Sequence, residues 1–330
     1  MAGATRIERA WYAGAPWLWL LRPLEILFRA VSALRRGLYI RGWLPSHRAG
    51  VPVVVVGNIT VGGTGKTPIV IALVEALRAA GHRPGVVSRG YGGSGGAYPL
   101  AVTAASDAAQ VGDEPLLIAR RTGAPCVVDP DRGRAAARLE ADYDVDLIIS
   151  DDGLQHYRLR RDFEIAVLDA QRRTGNGWCL PAGPLREPAG RLANVDWVLL
   201  RGGDGARDGV RYLPTALVDV ASGERRDFSP GALSPRVRAI AGIGQPAQFF
   251  ASLRAAGFEV SETVFPDHHH FSLADLAGEN TPVIMTEKDA VKCAGLLAPE
   301  DAGRYWYLCI DARLPAPLVD AVLALTARAS

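Results

Sequence analysis

The stretch VPVVVVGNITVGGTGKTP (residues 51–68) constrains this chain more than any other. Five valines around one proline predict a fully buried strand, because β-branched side chains suit the pleat and no polar face alternates with them. Gly57 ends the strand. Gly62, Gly63 and Gly65 then leave a loop with little side chain in the way, Lys66 and Thr67 follow, and residues 69–80 read as a helix. Strand, glycine loop, Lys-Thr and helix form the phosphate-cradling P-loop. Backbone N–H groups of the loop and helix N-terminus converge on phosphate oxygens. The lysine adds positive charge and the threonine hydroxyl can hold Mg²⁺. The usual pattern has glycine where this chain has Thr60.

The chain has 37 basic residues, yet only Lys66, Lys288 and Lys292 are lysines. Arginine serves almost everywhere else, so the loop calls for a compact ammonium rather than a guanidinium fork. At 330 residues the chain has room for about two domains. A net charge of +2 gives no general signature of nucleic-acid binding, and none is expected. Cys126, Cys179, Cys293 and Cys309 lack metal-like spacing and read as small buried hydrophobes.

The first 50 residues stand apart, with eight arginines against two glutamates and with Trp11, Trp17, Trp19 and Trp43. Their longest uncharged run, 10–21, is too short to span a bilayer, which needs about 20 residues. From Leu24 the spacing is helical. Leu24, Leu27, Phe28, Val31, Leu34 and Leu38 share one face, Arg22, Glu25, Arg29 and Arg36 lie opposite, and Arg35 intrudes on the apolar side. Tryptophans beside an amphipathic, basic helix predict contact with a membrane interface. The alternative is a helix packed on the protein's own core.

After the P-loop helix, short apolar strands (84–88, 124–128, 145–150, 164–169 and 196–201) alternate with helices (112–122 and 131–141). This predicts a mostly parallel sheet covered by helices on both faces, with ligands at the strands' C-terminal ends. Asp151 and Asp152 follow such a strand. Two aspartates there often form a turn or cap, but beside a P-loop one of them is expected to hold Mg²⁺. Gln155 and His156 are expected to face the same cleft. Arg186 and Glu187 sit in a proline-stiffened loop, a surface connection or a rigid support for a site. A hairpin (210–220 with 225–228) leads to a second, smaller α/β unit with strands at 237–244, 258–265, 282–286 and 306–310 and helices at 246–256 and 317–328. His268, His269 and His270 make a poor metal run, since neighbours on an extended chain point apart. Asp267-His268 reads instead as a carboxylate-oriented imidazole, or as a polar turn.

Seven stretches occur in one order: GNITVGGTGKTP (57–68), SRGYG (88–92), GDEP (112–115), DDGLQH (151–156), LPAGPLREP (180–188), FPDHH (265–269) and TEKD (286–289). Together they resemble the tetraacyldisaccharide 4′-kinase family, the lipid A kinases of Gram-negative bacteria, nearly from end to end. Thr60 in place of the first glycine is that family's form of the loop. The resemblance implies a P-loop NTPase-like α/β fold and ATP- and Mg²⁺-dependent phosphorylation of the 4′-hydroxyl of an acylated glucosamine disaccharide 1-phosphate. It also implies a peripheral enzyme on the cytoplasmic face of the inner membrane. By motif, Asp113 would be the base, paired with His268. Thr60, Val61, Gly62, Gly63, Thr64, Gly65, Lys66 and Thr67 would cradle the nucleotide, with Lys66 at the β/γ-phosphates. Thr67, Asp151, Asp152 and Glu187 would serve the metal, with Gln155, His156 and Arg186 lining the cleft. The expected division is a membrane-associating segment (1–45), a kinase core (46–205), a hairpin linker (206–235) and a smaller α/β domain (236–330). A membrane-recruited ATPase switch acting on a protein partner is the alternative function.

Overall fold

The computed structural model describes residues 6–63, 65–278 and 281–327. At the N-terminus α1 (Arg6–Ala13), a 3-10 turn (Pro16–Leu21) and α2 (Arg22–Ile40) lie against the main body. The first lobe then runs β1 (Val53–Gly57), α3 (Lys66–Ala79), β2 (Pro84–Ser88), β3 (Leu100–Val102), α4 (Ala108–Val111), α5 (Asp113–Thr122), β4 (Cys126–Val128), α6 (Arg132–Asp142), β5 (Leu147–Asp151), β6 (Phe163–Asp169) and β7 (Trp197–Arg201). The remainder runs β8 (Gly209–Asp219), β9 (Arg225–Asp227), β10 (Arg236–Ala241), α7 (Pro246–Ala255), β11 (Glu259–Val264), α8 (Leu273–Leu276), β12 (Val283–Thr286), α9 (Glu287–Cys293), β13 (Tyr305–Arg313) and α10 (Ala316–Thr326).

One sheet of 13 strands runs through the molecule in the order β11-β10-β12-β13-β8-β7-β6-β1-β5-β2-β4-β3, with β9 branching from β8. The valine strand β1 lies inside it, parallel to β5 and β6. All five of its residues are buried. Val54 and Val56 pack with α3, α5 and α10, whereas Val53 and Val55 pack with α6 on the opposite face. A strand covered on both faces must be apolar at every position, which explains the uninterrupted valines. β8 belongs to both lobes: its start pairs in parallel with β7, and the rest runs antiparallel to β13. Two further cores flank the second lobe's strands, one under α7 with Phe250 and Trp306, the other under α9 with Met285 and Phe271.

Two expectations need correction. The last helix was expected in the smaller 236–330 unit, yet Leu318 and Val322 of α10 pack in the first lobe's core. Thr326 also meets His82 there, at 3.2 Å. The apolar β13 carries the chain back, and α3 offers an apolar face for the last helix to cover. Phe28 was expected on the lipid-facing side of α2, yet it packs inward with Leu154, Cys179 and Leu185.

Elsewhere on α2 it is Glu25 that faces inward. Glu25 is 1% exposed, held by Arg22 at 3.0 Å, Arg29 at 3.6 Å and the N–H of Cys179 at 3.2 Å. Leu24, Ile26, Leu27, Val31 and Leu34 face outward, each more than half exposed. Of the fifteen large apolar side chains exposed on the described residues, eleven fall between Tyr12 and Trp43. No helix of the described residues is long and apolar enough to cross a membrane.

Candidate functional site

The P-loop leaves β1 at Gly57 and enters α3 at Lys66. Asn58, fully buried, stitches the loop from within: its amide reaches Thr60 Oγ1 and Gly62 O, each at 3.4 Å, and its Oδ1 accepts from Lys66 Nζ at 3.4 Å. Thr60 is buried and bridges to Leu185, and the N–H of Val61 donates to Pro184 O at 2.8 Å. Both residues therefore hold the loop from outside, and the backbone left to face a phosphate runs from Gly62. Gly65 adopts φ 70° as N-cap of α3, where Tyr212 of β8 donates its hydroxyl to the Gly65 carbonyl. Thr64 lies outside the described residues.

Beyond the loop, Lys66 Nζ lies 3.2 Å from Asp152 Oδ1, and Asp152 also pairs with Arg186 at 3.5 Å. Asp152 takes the left-handed φ of 47°, one of three non-glycine residues to do so among the described residues. Burial pushes its carboxyl up, but the charges of Lys66 and Arg186 outweigh this and hold it below the usual range. Asp151, at the end of β5, is 2% exposed and accepts from Ser88 Oγ at 3.2 Å. Burial, then the charges of Glu114 and Asp152, push its carboxyl well above the usual range. Two adjacent carboxylates in one low-dielectric site cannot both ionise at low cost without a cation.

Glu187 is buried and engaged at both oxygens. Gln155 donates to Oε1 at 2.9 Å, Tyr157 to Oε2 at 2.8 Å, and Arg191 Nε lies 3.3 Å from Oε2. Gln155 also donates to Asn58 O at 3.1 Å, so Glu187 braces the P-loop through it. His156 turns away from Gln155 and lines a cavity of about 590 Å³ with Arg35, Arg132, Arg134, Arg158 and Asp131. Arg35, the odd residue of α2's apolar side, lies over the Tyr39 ring and shares this cavity's lining with three other arginines. Burial, with Arg132 adding to it, depresses His156 to about 3 and keeps the imidazole neutral.

The third group spans the two lobes. Asp113 opens α5, is 5% exposed, and accepts the N–H of Glu114 on Oδ1 at 3.0 Å. The positive helix end favours a carboxylate there. Only glycine fits just before it: Gly112 takes φ 89°, and a Cβ would stand 2.7 Å from Tyr91 O. His268 also takes a left-handed φ, 59°, and brings Nδ1 to 3.2 Å from Asp113 Oδ2. Strained backbone of this kind recurs at functional sites. The Asp267-His268 pairing expected from adjacency is therefore secondary, since Asp267 Oδ1 stands 4.0 Å from Nε2. Burial raises Asp113, but the hydrogen bond from His268 and the charge of Lys288 bring it below the usual range. His268 is raised, first by that same hydrogen bond.

A loop of the second lobe joins the groups. Gln245 donates to Gly63 O at 3.4 Å, and a Cβ on Gly244 would lie 3.4 Å from Asp267 Oδ2 and 4.0 Å from Gly63 N. P-loop and Asp113–His268 pair thus border one cleft. Asn58, Ser88, Tyr212, Gln245 and Lys288 were not read as site residues. Of these, Asn58, Ser88 and Lys288 lie in the motif stretches, and Lys288 carried the further signal of the scarcity of lysine.

A family model described as tetraacyldisaccharide-1-P 4′-kinase matches residues 17–327. Proteins named tetraacyldisaccharide 4′-kinase from Pseudomonas aeruginosa and Azotobacter vinelandii are 50% and 53% identical over 321 and 324 residues, covering 96% of this chain and 95% of theirs. A crystal structure of an "apo" form of LpxK from Aquifex aeolicus in complex with ATP superimposes with a TM-score of 0.77 at 26% identity, covering 94% of this chain and 99% of that one. With its P-loop and its interlobe carboxylate–imidazole pair, this chain belongs to the tetraacyldisaccharide-1-P 4′-kinase family.

Proposed function

We infer that this chain transfers the γ-phosphate of ATP to the 4′-hydroxyl of a tetraacyldisaccharide 1-phosphate, giving the bis-phosphorylated lipid and ADP. The observation that carries the reading is the buried Asp113–His268 pair facing the same cleft as Lys66. The acceptor oxygen attacks the γ-phosphorus while its proton passes to Asp113, and the bond from γ-phosphorus to the β,γ-bridging oxygen breaks. His268 orients and tunes Asp113. Lys66 and the N–H groups from Gly62 to Thr67 hold the β- and γ-phosphate oxygens. In a loose transfer, positioning and charge are most of what a protein supplies.

The residues present fit Mg²⁺. Thr67 lies in the first turn of α3, and Asp152, which follows Asp151 at the end of β5, stands beside Lys66. Among the described residues no three His, Cys, Asp or Glu side chains form a metal cluster. A metal delivered with the nucleotide needs none, since phosphates and waters complete its shell. Bound there, Mg²⁺ neutralises charge developing on the β- and γ-phosphates. Glu187 contributes through Gln155 and the loop.

The acceptor enters from a membrane. The outward leucines of α2 lie in the interface of the inner membrane's cytoplasmic leaflet, and the arginine-lined cavity beside Arg35 receives the lipid's phosphate. The functional division follows the segments 1–45, 46–205, 206–235 and 236–330, with α10 returning to the core. Two outcomes check this picture. Leu24→Ser, Leu27→Ser and Leu34→Ser together lower partition onto anionic vesicles roughly a hundredfold or more, each leucine burial being worth about 1.5–3 kcal/mol. Their melting temperature stays near wild type, and unchanged vesicle sedimentation would remove the membrane contact. Arg35→Ala raises KM for the lipid about tenfold with KM for ATP unchanged, as loss of one charge-assisted contact predicts.

The deciding experiment supplies purified protein in detergent with γ-labelled ATP, Mg²⁺ and the tetraacylated disaccharide 1-phosphate. Label on the lipid is expected. Label released only as free phosphate would favour an ATPase switch instead.

A further inference from the structure

We propose that Lys288 is a positioning residue for the phosphoryl transfer: its ammonium, set by α9 among Asp113, Glu114, Asp267 and His268, fixes the proton of His268 on Nδ1 and keeps Asp113 a free base. The proposal rests on Asp113 being the base.

The geometry is specific. Lys288 Nζ lies 3.1 Å from Glu114 Oε1, 3.6 Å from Asp267 Oδ1, 3.7 Å from Asp113 Oδ2 and 3.4 Å from His268 Nε2. An ammonium carries three donors and no lone pair, so the ring nitrogen facing it must accept. That places the imidazole proton on Nδ1, the ring nitrogen that lies 3.2 Å from Asp113 Oδ2. Without the ammonium either nitrogen can carry the proton, and the tautomer that leaves Asp113 without a donor becomes available. Tyr91 packs against the ring, tilted by 59° with centroids 5.0 Å apart. Lys292, the other cation of α9, is taken up by Asp289 at 2.7 Å.

The motif that carries Lys288 divides its work. Thr286 caps α9 and donates to Asp289 Oδ2. Asp289 accepts the N–H of Gly242 at 2.9 Å and so anchors the loop over the P-loop. Glu287 binds Arg121 of α5 at 2.7 Å, and Arg121 also binds Asp311 at 2.6 Å. The lobes are thus docked by Arg121, and Lys288 is spared for the base. Where arginine outnumbers lysine so heavily, a lysine here fits a four-partner site that a planar fork would overfill. The charge effects agree: Lys288 lowers both Asp113 and His268, while burial and then three carboxylates act on Lys288 itself and leave it a firm ammonium.

Removing the ammonium raises both groups, so the pair takes up a proton at higher pH. The test measures kcat/KM for the lipid against pH in Lys288→Met, Lys288→Gln, Lys288→Arg and Arg121→Met. In the first two, the acid limb should move up by about one pH unit, with kcat at neutral pH down about tenfold and KM for ATP unchanged. Lys288→Arg keeps the charge and should leave the limb near its wild-type position, with kcat lowered because the planar fork fits the four-partner site less well. Arg121→Met should lower thermal stability without moving the limb. An unmoved limb in active Lys288→Met or Lys288→Gln overturns the proposal, as does an equal move in Arg121→Met. Asp113→Asn separates the two layers. If that variant stays active, the base assignment fails; if it is inactive while the Lys288 variants keep the wild-type limb, only the role of Lys288 fails.

Discussion

Replacing Lys66 by alanine is expected to reduce phosphoryl transfer about 10³-fold or more, while the fold survives. The ammonium is the only side-chain cation that begins α3, and it bridges Asn58 and Asp152 at 3.4 and 3.2 Å. Its loss has two consequences. The β/γ-phosphates lose a preorganised charge, and one such donor is worth about 10²–10³ in kcat. Asp151 and Asp152 also lose the cation that lowers both of them, so the pair is more readily protonated and less able to hold a metal. Stability should change little, because α3 is held by Ile69, Val70, Leu73, Val74 and Leu77, all fully buried. Lys66→Arg is not expected to rescue, since Tyr212 and Asn58 crowd the loop against a broad guanidinium. Labelled-phosphate transfer and thermal unfolding, measured on the same preparations, decide the matter. Activity within tenfold of wild type would remove Lys66 from the chemistry.

Asp113→Asn is expected to lower kcat about 10²–10⁴-fold, the usual worth of a positioned base, with ATP affinity retained. The amide keeps the shape and can still accept the N–H of Glu114, but it cannot take a proton. The pH dependence of the native enzyme has a definite sign. Asp113 is held below the ordinary carboxylate range and His268 above the ordinary imidazole range. Activity is therefore full where Asp113 is ionised, and it falls with decreasing pH as the coupled pair gains protons. The acid limb belongs to the pair and should vanish in Asp113→Asn. His268→Ala should cost less, since the carboxylate remains, and should shift the limb upward as the hydrogen bond that lowers Asp113 is lost. A residual acid limb of wild-type position in Asp113→Asn would assign the titration elsewhere.

Much of this was legible in the chain. Unbroken valines implied a doubly covered strand, and β1 lies between two parallel neighbours. The P-loop chemistry was local, because strand, loop and helix are consecutive. Amphipathy in α2 was legible too, but not its direction. Periodicity separates two faces without saying which one meets protein. The structure turns Glu25 inward against Arg22, Arg29 and the Cys179 backbone. Arg22 and Arg29 are its neighbours on the helix, but the backbone of Cys179 that completes the arrangement lies 154 positions away, and no local pattern reports it.

The same distinction divides the site. Local spacing by itself determined the parallel α/β architecture, the phosphate cradle and the acidic strand end, because each depends on residues within one turn or one strand of each other. The family resemblance implied the pairing of Asp113 with His268, which no local pattern could, and only the tertiary structure set Lys288 beside them. His268 and Lys288 come from the second lobe, and β8 and β13 carry that lobe across the cleft on a shared sheet. Only the structure returned α10 to the first lobe, parted His156 from Gln155, and showed Glu187 already engaged by Gln155, Tyr157 and Arg191. The physical reason is one of range. Backbone propensity and hydrophobic period act over a few residues, whereas a charge a few ångströms away acts whatever its distance along the chain.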